Sequence, residues 1–294
     1  MSNDKNRFQK YVINKDYRSV YHFLKDNGFS ESYITNLRKK MGNIVLNGQS
    51  VTIRTGLKQN DILEINSNPN TSTSIMQCII PLDIVYEDDY YLLINKPSGL
   101  ACMPSRSHYY ENLAGAICYY MQQKMPGFTL RIINRLDKDT SGIIIVAKDS
   151  IAQKEIKDID KIYYALCEGK IDKEIMIEAK IQTITENEIN QHKRIVSPEG
   201  KPAKTYVEPI KFNDKYSLIK LKLEYGRTHQ IRVHLSSVGH PLVGDCIYGN
   251  KSEFIDHTVL LCSEISFYHP FLNKTLTFKV PFPKDFEELA NKLL

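Results

Sequence analysis

The chain has 294 residues, 25% of them charged and 42% apolar, which suits one large globular domain with a small appendage and excludes a fibrous or wholly disordered chain. No apolar run approaches membrane-spanning length, the polar start Met1-Ser2-Asn3-Asp4-Lys5 is no signal peptide, and the six scattered cysteines form neither a zinc spacing nor a disulfide framework, so a cytoplasmic, membrane-free monomer is expected. The net charge of +5 lies wholly in residues 1–68, with 11 Lys and Arg against 6 Asp and Glu, while the rest of the chain holds 28 of each, as for a basic module that docks on a polyanion beside a neutral domain.

Val20, Phe23 and Leu24 at helical spacing, stopped by Gly28, predict a first helix. Ser30 then caps a second, with Ile34, Leu37 and Met41 on one stripe, Arg38, Lys39 and Lys40 beside it, and Gly42 as its end. Ile44-Val45-Leu46 and Val51-Thr52-Ile53 flank Asn47-Gly48, a dipeptide suited to the two positive φ angles of a tight hairpin, and Asp61 to Ile65 reads as a further strand. The polar, turn-rich run Asn66 to Ser74 predicts a linker, so the expected division is a basic domain at 1–66 with its core at about 18–65, a linker at 67–78 and a large domain at 79–294.

Beyond the linker, Ile84 to Tyr86 and Tyr90 to Ile94 predict a hairpin turning at Asp88-Asp89, followed by a break at Lys96-Pro97-Ser98-Gly99. Leu113, Ala116, Ile117, Tyr120 and Met121 give an amphipathic helix. Leu130 to Ile133 and Gly142 to Val146 read as buried strands joined by a polar connection. Alternation at Lys161 to Cys167, Ile175 to Ile181 and Tyr216 to Glu224 predicts strands, and Thr228 to Val238 a helix started by Thr228 and stopped by Gly239. The expected class is α+β, a long mixed sheet with few helices.

Three segments stand out chemically. On the connection Asn134-Arg135-Leu136-Asp137-Lys138-Asp139-Thr140-Ser141, the polar side chains are accessible on a rigid scaffold, yet the same run suits a turn capped by Asp137 and Asp139. Arg227, His229, Gln230, Arg232 and His234 gather at a helix start, where they suit a phosphate, a buried carboxylate or both; Arg232, beside the apolar stripe, needs a carboxylate if it points inward. In Lys161-Ile162-Tyr163-Tyr164, alternation sends Tyr163 and Tyr164 to opposite sheet faces, one into the core and the other toward a cleft.

Together these segments resemble a family. Arg135-Leu136-Asp137 with Thr140-Ser141-Gly142 and Ala147-Lys148 looks like the active-site motif of the RluA-type pseudouridine synthases; Lys96 to Gly99, Lys161 to Tyr163 and Gly226 to Gly249 are similar to that family's other motifs, in order, from about Leu82 to Pro283. Residues 18–65 resemble the RNA-binding domain named after the fourth protein of the small ribosomal subunit. The resemblance implies a pseudouridine synthase fold, a mainly antiparallel sheet with flanking helices and a central cleft, plus a small N-terminal RNA-binding domain. It implies an isomerase needing no cofactor or metal, acting on ribosomal RNA in preference to transfer RNA. Asp137 would be the catalytic carboxylate, Arg232 its charged partner and Tyr163 the residue stacked on the extracted uracil. Arg135, Asn134, Arg227, His229 and Gln230, with Arg38, Lys39 and Lys40 of the first domain, would bind substrate. Asn134 stands where the family usually has His, which bears on target choice. The competing expectations are a magnesium-dependent phosphohydrolase using Asp137 and Asp139, and a non-catalytic RNA-binding or ribosome-assembly factor.

Overall fold

The structure, a computed structural model, describes residues 8–39, 41–66, 75–105, 107–184 and 193–294. The N-terminal part runs β1 (Phe8–Val12), α1 (Val20–Asp26), α2 (Glu31–Leu37), β2 (Ile44–Leu46), β3 (Gln49–Ser50) and β4 (Ile62–Asn66), with an antiparallel sheet in the order β1-β4-β2-β3. Ser19 and Ser30 cap the two helices through the backbone N–H of His22 and Tyr33, and Asn47 and Gly48 carry φ of 49° and 82° at the hairpin turn.

Several boundaries differ from the expectation. Strand β1 escaped the sequence, because its faces are only weakly sorted by burial. Helix α2 stops at Leu37, so Arg38 and Lys39 lie in the following turn and Met41 is 90% exposed, off the stripe. Val51 to Ile53 is not a continuing strand; its chain turns away so that Ile53 and Thr55 carbonyls accept the free N–H groups of Tyr21 and Val20 at the start of α1. Asn66 belongs to β4, buried and bonded through its side chain to Asn43 at 2.9 Å. The remaining predicted linker up to Ser74 lies outside the described residues, and at its expected end Cys78 donates its N–H to Gly115 O and its thiol to Asn112 O.

The larger part continues with β5 (Ile84–Glu87), β6 (Tyr91–Lys96), α3 (Leu113–Lys124), β7 (Ser141–Ala147), α4 (Ser150–Glu155), β8 (Asp160–Glu168), β9 (Ile175–Glu178), β10 (Ile181–Thr183), β11 (Arg194–Val196), β12 (Lys204–Phe212), β13 (Tyr216–Glu224), α5 (Gln230–Ser237), β14 (Leu260–His269), β15 (Lys274–Lys279) and α6 (Lys284–Leu293). Its main sheet has the order β5-β6-β7-β14-β8-β13-β12-β9, with β15 also paired to β14, and among the described residues only β7 and β14 run parallel. Strand β7 is buried throughout, as a central strand covered on both faces must be. At Gly142, with φ 116°, a Cβ would fall 2.2 Å from Cys262 O, so only glycine lets β7 approach β14 this closely.

Leu130 to Ile133 is not a full strand. Ile132 bridges Val146, and then the Asn134 side chain takes over the ladder, donating to Ile143 O at 2.9 Å and accepting Ile145 N–H at 2.7 Å. The N-terminal part meets the larger one at α4: Ile151 is buried in the same cluster as Phe23, Phe29 and Leu24, and the Lys154 ammonium lies 4.3 Å from the Phe29 ring centroid.

Candidate active site

The connection from Asn134 to Thr140 is held by its backbone. Four successive carbonyls receive donors: Leu136 O from the Cys102 thiol at 3.1 Å, Asp137 O from Thr140 N–H at 3.2 Å, Lys138 O from the Lys96 ammonium at 2.8 Å, and Asp139 O from the Ser98 hydroxyl at 2.8 Å. Lys96 is fully buried and also donates to Pro97 O and Leu100 O. Burial pulls its pKa down to about 8 against the opposing pull of Cys102, Asp139 and Asp137, which leaves it charged near neutral pH. The turn is thus closed by the Asp137 carbonyl, while its carboxylate accepts no backbone N–H among the described residues and faces a cleft.

That cleft has a volume of about 390 Å³, and the residues from Ile133 to Asp137, Tyr163 on β8, and Gly226 to Arg232 at the start of α5 line it. Two groups approach the two oxygens of Asp137: Arg232 Nη1 lies 4.0 Å from Oδ2 and His229 Nε2 lies 3.9 Å from Oδ1. A larger cavity of about 750 Å³ lies behind the loop, against Lys96, Lys138 and Asp139, and Asp137 does not line it.

Arg232 is 4% exposed and points inward, as its place beside the apolar stripe suggested, but its bidentate partner is Asp245, with Nε and Nη2 each donating over 2.7 Å. Burial opposes the Arg232 charge, and the hydrogen bonds and charge of Asp245 outweigh it and raise its pKa. Burial likewise raises Asp245, and Arg232 with the N–H groups of Ile247 and Tyr248 brings it below its ordinary value. Arg232 therefore serves two carboxylates, Asp245 through its bidentate face and Asp137 through Nη1 at 4.0 Å.

Tyr163 is buried with its ring on the cleft wall, and burial together with neighbouring Cys262 and Asp137 pushes its pKa well up, so it remains a neutral phenol. Tyr164, on the opposite face, packs its ring on Phe282.

The remaining predicted residues divide. Arg135 is exposed on the cleft and Arg227 is half-buried at its rim, with Nε donating to Pro202 O. Gln230 is buried on the cleft lining, with its amide group within hydrogen-bond distance of Lys204 O, Thr205 Oγ1 and Glu224 O and its amide oxygen accepting Arg227 N–H. Asn134 also lines the cleft, with its amide bonded to β7. Helix α5 starts at Gln230 rather than Thr228, with His229 at the cap position in the left-handed region at φ 56°. His234 is buried against Thr205 Oγ1 and Ala179 O. Arg38 and Lys39 are exposed on the N-terminal part, and Lys40 lies outside the described residues.

Sequence reasoning assigned no role to Lys96, Ser98, Cys102, Asp245 or Tyr248. Asp245 was findable, because an inward Arg232 demands a carboxylate and Asp245 follows within the same segment.

A family model described as RNA pseudouridylate synthase matches residues 90–237, half of the chain, a span that includes Asp137, Tyr163 and Arg232. A Bacillus subtilis protein named "Uncharacterized RNA pseudouridine synthase YjbO" is 33% identical, over 89% of this chain and 94% of its own length. The "Ribosomal large subunit pseudouridine synthase D" of Nitrosomonas europaea is 32% identical, over 85% of this chain and 73% of its own. Among solved structures, human RNA Pseudouridylate Synthase Domain Containing 1 superposes with a TM-score of 0.55 at 24% identity, covering 76% of this chain and 96% of that one, which bears out the expected α+β fold.

Proposed function

The chain belongs to the RNA pseudouridylate synthase family and is an isomerase acting on RNA, and from that premise we propose that Asp137 is its catalytic carboxylate and a uridine of large-subunit ribosomal RNA its target. Uridine and pseudouridine are isomers. The bond from ribose C1′ to N1 breaks, the freed base turns, C5 bonds to C1′, and the proton that C5 loses is balanced by one gained at N1. No electron or external group is exchanged, so the balance calls for no cofactor. It calls for a carboxylate at the sugar, a surface to hold the freed base, and a means of extracting the nucleotide from its stack.

The observation that carries the proposal is the Asp137 carboxylate, free of backbone partners among the described residues, beside Arg232 and His229 in the cleft that also holds the Tyr163 ring. Asp137 acts at C1′ as nucleophile or at C2′ as base, and both routes use this carboxylate beside the Arg232 charge. Tyr163, as a neutral phenol on the wall, stacks on the extracted uracil near the C5 proton. Arg135, exposed beside Asp137, reaches into the RNA next to the extracted nucleotide, and Arg227 faces its phosphates at the rim.

The choice of ribosomal RNA is supported by relatives named for the large ribosomal subunit and by the basic N-terminal part. Its two helices followed by a hairpin, with exposed Arg38 and Lys39, suit an RNA-binding domain of the ribosomal small-subunit type spanning residues 1–66, attached to a catalytic domain at 79–294.

The test is chemical mapping of pseudouridine across total RNA from cells lacking the gene, complemented with the wild type or with Asp137→Ala. One large-subunit position should be modified with the wild type alone, while purified Asp137→Ala binds that RNA as the wild type does. Modification persisting with Asp137→Ala would refute the catalytic assignment, and a mapped transfer-RNA position would refute the target.

A further inference from the structure

The His229 ring turns Nε2 toward Asp137 and its other nitrogen, Nδ1, toward the Tyr248 hydroxyl at 2.8 Å. That hydroxyl also accepts the Arg194 backbone N–H over 2.9 Å. We infer that Tyr248 is a positioning residue for the isomerisation: by donating its one proton to Nδ1 it holds His229 as the Nε2–H tautomer, so that a neutral donor faces Asp137 Oδ1 while the Arg232 charge faces Oδ2. The inference rests on Asp137 being the catalytic carboxylate.

A phenol has one proton and two lone pairs, and Arg194 N–H occupies one lone pair. If Nδ1 carried the imidazole proton, the hydroxyl would have to accept twice and its own proton would have no acceptor among the described residues. The Nε2 lone pair would also then be aimed at a carboxylate oxygen 3.9 Å away. Both objections vanish in the Nε2–H tautomer. Neutrality is favoured as well: burial lowers the His229 pKa, Asp137 and Asp245 oppose it, and Arg232 and Arg194 add to the lowering. The separation of 3.9 Å is roughly 1 Å longer than an N–H···O hydrogen bond, so this donor orients the carboxylate and closes on it with a small side-chain movement.

A dipole at this position differs from a second cation in its consequence. Asp137 gives up charge when it bonds to C1′ or takes a proton from C2′, and every full positive charge nearby resists that change. One guanidinium and one N–H dipole hold both oxygens in place with a single cation.

Tyr248 is itself fixed by the groups it serves. Its backbone N–H donates to Asp245 Oδ1 at 3.1 Å, and its ring lies 5.2 Å from the Arg232 guanidinium carbon. The second hydroxyl contact comes from Arg194 on β11, so the arrangement is complete only with that strand in place. His229 meanwhile holds a left-handed backbone unusual for a residue with a side chain, strain of the kind found where a side chain must be aimed.

The experiment reads the tautomer without turnover. In the full chain labelled with ¹⁵N-histidine, long-range ¹H–¹⁵N correlation near neutral pH should show the His229 ring as the neutral Nε2–H form, assigned by the signals that His229→Asn removes. Tyr248→Phe should convert it to a mixture of tautomers. The single-turnover isomerisation rate at saturating RNA should fall by roughly tenfold, less than for a donor touching the reacting atoms, with RNA affinity unchanged. His229→Asn, which suits the left-handed backbone, should slow the same step. A wild-type His229 found as Nδ1–H or as imidazolium overturns the inference, as does a Tyr248→Phe enzyme with altered tautomers and an unaltered rate. Failure of the Asp137 assignment would appear separately, as activity in Asp137→Ala.

Discussion

Arg232 gives its bidentate face to Asp245, with two bonds of 2.7 Å, and presents only Nη1 to Asp137 at 4.0 Å. Asp245 has no exposed surface, so the pair is a buried ion pair whose spare nitrogen serves the cleft. Removing one partner of such a pair leaves an uncompensated charge in the interior, which costs about 3–5 kcal/mol. Asp245→Ala should therefore lose that much stability in urea denaturation and lower the single-turnover rate, because Arg232 is then free to swing onto Asp137. A stability within 1 kcal/mol of wild type, as an approximate bound, would show that Asp245 is not the anchor.

Asn134→Ala separates a structural clamp from a substrate contact. It leaves Ile145 N–H and Ile143 O without their buried partner, at about 1–3 kcal/mol for each orphaned group. The melting temperature should fall while the affinity of the folded protein for RNA is unchanged. Weaker RNA binding at an unchanged melting temperature would mark Asn134 as a substrate residue.

Acid stability should depend on Glu87, which ties the β5–β6 hairpin to α3 and to the residue after β7. Burial raises the Glu87 pKa, but bonds from Lys124 and Lys148 at 2.8 Å and from Tyr120 at 2.6 Å bring it down to about 2. The unfolded chain, with an ordinary Glu near ~4.3, binds the proton first on acidification. The stabilisation is thus complete above about pH 4.3 and disappears as pH falls through the folded value. Glu87→Gln should flatten the stability profile across that window by up to about 1.4 kcal/mol per pH unit. Parallel wild-type and mutant profiles would refute the ion-pair network.

Replacing Arg38 and Lys39 together with alanine should leave folding untouched, because both side chains are exposed. If each meets a phosphate, the slope of log affinity against log salt should become shallower by about 0.7–0.9 for each phosphate that is no longer neutralised. An unchanged slope would show that this turn does not touch RNA.

Local sequence was sufficient for much of this protein. The helix cap Ser30, the Asn47-Gly48 hairpin and the span of β13 follow from turn chemistry and periodicity within a few residues. Asp137 stood out for a related reason, since a polar run between two apolar ones is a local pattern. The partners of these residues are not local. Lys96 meets Lys138 O across 42 positions, and β7 pairs in parallel with β14 through Ser141 and Leu261. Which carboxylate receives the Arg232 fork depends on how the chain after α5 returns to the helix, and whether Asn134 binds RNA or backbone depends on the register of Ile132 against Val146. Residue type and spacing therefore define the chemistry that the chain carries. Strand order and register, set by packing across the whole core, assign each polar group its partner, because a buried donor or acceptor is satisfied by whatever the fold brings within about 3 Å of it.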